Sequence, residues 1–367
     1  MKITRIDVFR FEYTAIGGGL TLSGGRVART QDSTIVKVST DEGLAGWGEV
    51  CPFTPTYMVA FADGARAAIR EMGPALLGAD PRQLEVNYAR MDGALHGHAY
   101  AKSALDMAGW DLLGQAVGRP ISELLGGTFQ PEFPVYTMVS VGSPEGMREQ
   151  ARGLLAQGYR RAQLKVGGDW REDVRRVRAC LEVLGDMEIV IMDANAYWRQ
   201  HEAAQVVAAL EDTVIYVEQP CRTLASCVAV RRRSQRPFIL DECLTDLDAL
   251  WQARTADGMD AAMLKLSRFG GISRLRLARD LCQQWGLAVT IEDSGGGDIV
   301  SAAMAHLSAS TRPGHLLNGS LINVNVNEHL AEGAPRAERG RGAVPTGAGL
   351  GIRVDERALG APLFTIQ

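Results

Sequence analysis

Ala162-Gln163-Leu164-Lys165-Val166 is the first of six short apolar runs that carry a charge at or near their carboxyl end. The others are Ile189-Val190-Ile191-Met192-Asp193, Val214-Ile215-Tyr216-Val217-Glu218, Phe238-Ile239-Leu240-Asp241, Ala261-Ala262-Met263-Leu264-Lys265 and Leu287-Ala288-Val289-Thr290-Ile291-Glu292. The charges are spaced by 28, 25, 23, 24 and 27 residues. Runs this short and this rich in apolar and β-branched residues read as buried strands. Each interval holds an amphipathic stretch long enough for one helix. Strand and helix alternating at this length predict parallel βα units.

Placement of the charges says more than the repeat. An unpaired charge cannot sit in the middle of a buried strand, but at its carboxyl end it emerges at the rim. In a (β/α)8 barrel that rim carries the active site. Lys165, Asp193, Glu218, Asp241, Lys265 and Glu292 are therefore expected around one mouth. Three carboxylates there repel unless a cation holds them, and oxygen-only ligands favour a hard ion such as Mg2+.

Outward from this core, the chain starts with an antiparallel meander: residues 1–13, 33–38 and 44–50 alternate like strands. Helices are expected over 61–78, 83–92 and 99–117, the last with small residues on one face. Residues 1–125 then form an α+β capping domain and 126–330 the barrel. Its first strand is expected over 133–139 and its eighth around His315-Leu316-Leu317-Asn318. Residues 331–367 return to the capping domain, with Leu350-Gly351-Ile352-Arg353-Val354 as the returning strand. Residues 16–25 hold five glycines, which reads equally as a solvated connection or a lid. Gly295-Gly296-Gly297 reads as an anion cradle or a tight turn.

Composition excludes several classes. With 367 residues, 46% of them hydrophobic, the chain can bury a large core. A net charge of -4 with no basic block gives no electrostatic support for nucleic acid or anionic membranes. Six scattered cysteines without a CxxC pair read as reduced thiols. No run approaches a membrane span or an apolar signal core, so a cytoplasmic protein is expected.

Lys165, Asp193-Ala194-Asn195, Glu218-Gln219-Pro220, Asp241-Glu242 and Lys265, in that order and at that spacing, resemble the enolase superfamily, within it the muconate-lactonizing-enzyme subgroup. The resemblance runs nearly end to end. It implies a modified (β/α)8 TIM barrel under an α+β cap, one Mg2+ per subunit on Asp193, Glu218 and Asp241, and Lys165 and Lys265 as acid/base groups on opposite faces of a small carboxylate substrate. The reaction implied is abstraction of an α-proton through a Mg2+-stabilised enediolate. Partial burial beside a cation is expected to bring a lysine towards neutrality. A homo-oligomer is also implied. One position departs: the subgroup's Lys-x-Lys reads Gln163-Leu164-Lys165 here.

A closer resemblance is to hydroxyproline-betaine and proline-betaine epimerases and to cis-3-hydroxy-L-proline dehydratases. Pro55-Thr56-Tyr57 and the Gly-Gly-Asp298 element favour the first. Leu22-Ser23-Gly24-Gly25-Arg26 and Asp241-Glu242-Cys243-Leu244 favour the second. Tyr57 offers an aromatic face to a quaternary ammonium, but Gly319-Ser320-Leu321 stands where the betaine enzymes carry a tryptophan. Tyr57, Gln163, Asn195, Glu292 and Asp293 are the expected substrate contacts. One of Glu292 and Asp293 binds a substrate ammonium or hydroxyl while the other caps a helix. Two opposed lysines suit racemisation or epimerisation of a proline-like amino acid or betaine. The alternative is dehydration of a β-hydroxy amino acid. A catalytically silent metabolite-binding barrel is the reading from a different class, and only Gln163 favours it.

Overall fold

Eight parallel strands form the core of the molecule. The computed structural model describes residues 1–21, 23–25 and 27–367; Leu22 and Arg26, part of the stretch compared above with the dehydratases, lie outside the described residues. In ring order the strands are Thr137–Val139, Arg161–Lys165, Ile189–Asp193, Tyr216–Glu218, Phe238–Leu240, Ala261–Lys265, Ala288–Glu292 and Leu316–Gly319. A parallel bridge between Val135 and Gly319 joins the last to the first. Helical crossovers link each strand to the next, and the eighth is followed by a 3-10 turn, Ile322–Asn325, in place of a barrel helix. This is the (β/α)8 barrel expected from the spacing, in the modified form that the resemblance implies. Ile191, Ile239, Ala261, Met263 and Leu317 fill its lower interior, so the barrel is packed rather than hollow.

Strand register sets the height of the charges. Lys165 pairs with Asp193, Asp193 with Glu218, and Lys265 with Glu292. Neighbouring strands therefore end level, and their terminal side chains reach the same layer.

The cap is a four-stranded antiparallel sheet with three helices, Ala62–Met72, Leu84–Ala94 and Ala99–Val117. The long helix lies almost on the backbone of the strand Ala45–Val50. A Cβ added at Gly48 would stand 1.9 Å from the Ala104 carbonyl oxygen, and one at Gly46 2.3 Å from that of Ala108. The small face read from the sequence is thus the contact surface. The tail differs from expectation. Arg353–Val354 pairs with Ala331–Glu332, and the strand that returns to the cap is Phe364–Ile366, antiparallel to Ile3–Thr14.

Buried carboxylates fasten cap, barrel and tail. Asp106 accepts from the backbone N–H and hydroxyl of Ser273, at 3.0 and 2.6 Å, in the first turn of the barrel helix Ile272–Gln284. Asp111 accepts from the backbone N–H groups of Trp47 (3.0 Å) and Leu350 (2.8 Å). Burial pushes both carboxyls up to about 6.

Two predictions follow from these contacts. Gly48→Ala forces helix and strand apart and costs about 3 kcal/mol, the upper range for overpacking, read as a lowered thermal midpoint; an unchanged midpoint would show that the contact is loose. The raised Asp111 carboxyl binds a proton in the folded state between its unfolded pKa of about 3.9 and 6. Its contribution is therefore lost as pH rises through that window. Wild-type stability relative to Asp111→Asn should fall from pH 4 to 6 by up to about 1.4 kcal/mol per pH unit. A pH-independent difference would mean the carboxyl stays ionised.

Candidate active site

Asp193, Glu218 and Asp241 leave three consecutive strands and are at most 1% exposed. Three carboxylates so deep in low dielectric need compensation, and the structure supplies it unequally. The Lys165 ammonium lies 2.6 Å from Asp193. Asn195 adds two donors to Asp193, its backbone N–H at 2.8 Å and its side-chain amide at 2.9 Å. Asp241 is held by Arg268 at 2.6 Å, by the Tyr57 hydroxyl at 2.9 Å and more loosely by Lys265 at 3.4 Å. Among the described residues, Glu218, between them, receives only the Gln163 amide on Oε2, at 2.8 Å, and its buried Oε1 has no hydrogen-bond partner. Burial and the charges of Asp193 and Asp241 raise the Glu218 carboxyl well above the usual range. For Asp241, burial acts the same way, but Lys265 and Arg268 outweigh it and hold the group below its ordinary value.

This donor set fits a hard divalent cation. It is all carboxylate oxygen, and among the described residues it contains a buried oxygen without a hydrogen-bond partner on the acid between the other two. Among the described residues no three acidic, His or Cys side chains are already drawn together into a finished metal cage, since cationic side chains hold the two outer acids. Asp193, Glu218 and Asp241 are the residues that would hold the ion.

Above this layer a cavity is lined by Phe53, Tyr57, Tyr136, Lys165, Asn195, Lys265, Glu292 and Asp293. Lys165 and Lys265 end the second and sixth strands, four steps apart either way around the ring, and enter the cavity from opposed sides. Both ammonium groups sit above their ordinary pKa. Burial acts to lower each, but Asp193 overrides it at Lys165, and Asp241 with Glu292 overrides it at Lys265. With carboxylates alone as neighbours both lysines are held in the ammonium form; the expected shift towards neutrality is tied to a cation entering beside them.

Other expected contacts are placed as follows. Gln163 does not line the cavity; it lies behind Glu218. The Tyr57 ring lines the cavity with the Lys265 ammonium 5.5 Å from its centroid, and its hydroxyl donates to Asp241. Asp293 accepts from the backbone N–H groups of Ser267 (3.1 Å) and Ser294 (2.8 Å) and from the Ser267 hydroxyl. It caps the short helix Leu266–Phe269, and burial pushes its carboxyl up to about 6. Glu292 bridges Lys265 and the Tyr136 hydroxyl. The three-glycine loop is occupied from within: Glu49 of the cap accepts from the N–H groups of Gly297 (3.0 Å) and Val300 (3.1 Å), and Gln31 accepts from Gly296 (3.2 Å). Asp298 serves the tail through Asn323, Ala331 and Arg336. From the glycine-rich loop, the Ser23 hydroxyl donates to Asn195 at 2.9 Å, which seats that loop on the barrel mouth.

Tyr136 and Arg268 were not read from the sequence. Arg268 has a faint signal, three residues after Lys265 on one turn of helix. Tyr136 has none, because it lies between two short strands, Glu132–Pro134 and Thr137–Val139.

The expected behaviour of the acid layer is specific. Mg2+ at 100 times its Kd should stabilise the wild type by about 2.7 kcal/mol, seen as a raised thermal midpoint. In Glu218→Gln that rise should vanish, while the midpoint without Mg2+ stays level or increases because a buried like charge is gone. A Glu218→Gln protein that still responds to Mg2+ would remove Glu218 from the ligand set.

Comparison with known proteins agrees with this geometry. Residues 8–126 match the mandelate racemase / muconate lactonizing enzyme N-terminal domain family, and residues 146–358 the Enolase C-terminal domain-like family. The cis-3-hydroxy-L-proline dehydratase of Roseibium aggregatum is 42% identical over 364 residues, 99% of each chain. The N-succinyl-L-Arg/Lys racemase of Bacillus cereus is 28% identical over 319 residues, 85% of each chain. A crystal structure of an enolase-superfamily member from Roseovarius nubinhibens ISM complexed with magnesium is 35% identical and superposes with a TM-score of 0.95, covering 100% of this chain and 99% of the other. The chain belongs to the enolase superfamily, in the mandelate racemase/muconate lactonizing enzyme group.

Proposed function

We propose that the protein removes the α-proton of a small cyclic amino acid and expels a β-hydroxyl, dehydrating a substrate of the cis-3-hydroxy-L-proline type. The observation that carries this reading is the pair of lysines, Lys165 and Lys265, facing one cavity from opposed strands above a buried carboxylate layer. Identity of 42% with a cis-3-hydroxy-L-proline dehydratase across 99% of both chains supports the substrate class.

Stereochemistry connects the geometry to the reaction. In cis-3-hydroxy-L-proline the hydroxyl shares a ring face with the carboxylate, so the α-hydrogen lies on the other face. Loss of water from such a molecule needs a base on one side and an acid on the other. Opposed lysines meet that requirement: one takes the α-proton, and the other gives a proton to the departing oxygen. Mg2+ on Asp193, Glu218 and Asp241 would supply Lewis-acid stabilisation of the enediolate. Asn195 orients Asp193, Tyr57 and Arg268 orient Asp241, and the cap contributes Phe53 and Tyr57 to the cavity wall.

The second reading is racemisation or epimerisation of a proline-like amino acid, because the same opposed pair can return the proton to the opposite face of Cα. The 28% identical N-succinyl-L-Arg/Lys racemase shows such a reaction within the same family. A betaine substrate is disfavoured, since Ser320 brings no second ring to the cavity to complete an aromatic cage with Tyr57.

Proton NMR in D2O with Mg2+ and cis-3-hydroxy-L-proline, proline, proline betaine and 4-hydroxyproline betaine separates the readings. Expected is a dehydrated product from the hydroxyproline, with Lys165→Ala and Lys265→Ala each slowed on the order of 10²-fold or more. Exchange of the α-proton without a new compound would move the assignment to racemase or epimerase. Turnover of none of the four would overturn the substrate class.

A further inference from the structure

The two lysines are not equivalent. Lys165 has Asp193 as its carboxylate partner, one of the three acids assigned to the cation. Lys265 contacts Asp241 at 3.4 Å but is held most closely by Glu292, which stands outside that set. Glu292 is itself fixed on its far side: Oε2 accepts from Lys265, and Oε1 accepts from the Tyr136 hydroxyl. Tyr136 is only 7% exposed and comes from the opposite side of the strand-seven end, beside the first barrel strand. The result is one hydrogen-bonded line across the cavity wall, Tyr136 to Glu292 to Lys265. Asp293, the neighbouring acid, is fully engaged by Ser267 and Ser294 and cannot substitute.

From this line we infer that Tyr136 and Glu292 are positioning residues that aim Lys265 as the proton donor to the leaving hydroxyl, while Lys165 is the base at Cα. The inference rests on the dehydration reading above. In the first step Lys165 takes the α-proton and the electron pair of that C–H bond passes into the enediolate. In the second step the enediolate collapses to a carbon–carbon double bond, the Cβ–O bond breaks with its electron pair on oxygen, and the Lys265 proton completes a molecule of water. Solvent resets both lysines, so substrate equals dehydrated product plus water. Tyr136 donates no proton itself: a tyrosinate beside the Glu292 carboxylate would place two negative charges in contact in a dry cavity. Its hydroxyl instead pins Glu292, so that the oxygen facing Lys265 keeps one orientation. A lysine on four rotatable bonds gains most from such a fixed partner, because a misplaced donor forfeits the benefit of proximity.

The test uses full-length Tyr136→Phe and Glu292→Gln proteins with Mg2+ and cis-3-hydroxy-L-proline in D2O. Two rates are read: deuterium wash-in at Cα of unreacted substrate, and product formation. In both variants product formation should fall, on the order of 10²-fold in kcat for Glu292→Gln and less for Tyr136→Phe, with KM unchanged. Wash-in through Lys165 should persist, so the ratio of wash-in to product rises above that of the wild type. A role confined to holding the fold would lower both rates together. Parallel loss of both rates, or no change in either, overturns the inference while leaving the dehydration reading intact. If the wild type instead exchanges proline enantiomers and forms no dehydrated product, the dehydration reading fails by itself. The same variants should then slow exchange from one enantiomer and spare the other, and equal slowing of both overturns the assignment of Lys265. A wild type silent in every arm overturns both.

Discussion

Like charge held in a dry place is the constraint on which the rest of this structure depends. Asp193, Glu218 and Asp241 are forced together by the register of three adjacent strands, and a buried carboxylate without a partner costs several kcal/mol. The surrounding residues answer that cost in layers. Lys165, Lys265 and Arg268 bring positive charge. Asn195 and Gln163 bring amide donors without charge. Gln219, bent into the left-handed region at φ 33°, turns its side-chain carbonyl to the backbone N–H groups of Asp241 (2.8 Å) and Cys243 (3.3 Å), tying the loop after strand five to the end of strand four. Among the described residues Glu218 Oε1 has no hydrogen-bond partner, and the same holds for Gln163 Oε1 and Glu242 Oε2 beside it. A proton on Glu218, whose carboxyl is raised well above its ordinary range, or a cation between the three acids would each relieve their repulsion.

The cap is fastened by the same chemistry used in reverse. Glu49 is fully buried, yet it supplies negative charge to the N-terminal N–H groups of the barrel helix Asp298–Ala309, where the helix dipole favours it. Asp106 does the same at the start of Ile272–Gln284. These carboxylates take up backbone donors that a ligand would otherwise use. The loop carrying Glu292 and Asp293 is thereby clamped between barrel and cap, and cavity walls from two domains keep a fixed spacing. A proton donor and a proton acceptor on opposed sides need such spacing, since catalysis by positioned groups declines steeply with small displacements.

How much of this the sequence disclosed follows from what a strand does to its last residue. A charge ending an apolar run can go only to the rim, so all six rim charges were legible, and with them the barrel. Roles decided by tertiary neighbours were not. Glu292 and Asp293 are adjacent acids, and nothing in their order tells which one meets Ser267 and which meets Lys265. Gly295-Gly296-Gly297 read as an anion cradle because the anion comes from Glu49, distant in sequence. Leu350-Gly351-Ile352-Arg353-Val354 and Phe364-Thr365-Ile366 both alternate, and it is the second that returns to the cap, held by pairing to Ile3–Thr14 and by packing of Ile366 against the cap core. Tyr136 occupies no periodic position at all.

Gln163 shows why a departure from a family pattern is best judged by neighbours. A lysine there would place a third ammonium against the acid layer and would pair with Glu218 as Lys165 pairs with Asp193. The amide present instead makes one 2.8 Å bond to Glu218 Oε2, and its own oxygen, buried, accepts nothing. Charge in the layer is therefore more negative by one than in the Lys-x-Lys pattern. Excess negative charge of this kind strengthens attraction for a divalent cation and leaves Lys165 as the sole ammonium on its side of the cavity. The substitution leaves all three acids in place and leaves each lysine its own carboxylate partner, Asp193 for Lys165 and Glu292 for Lys265.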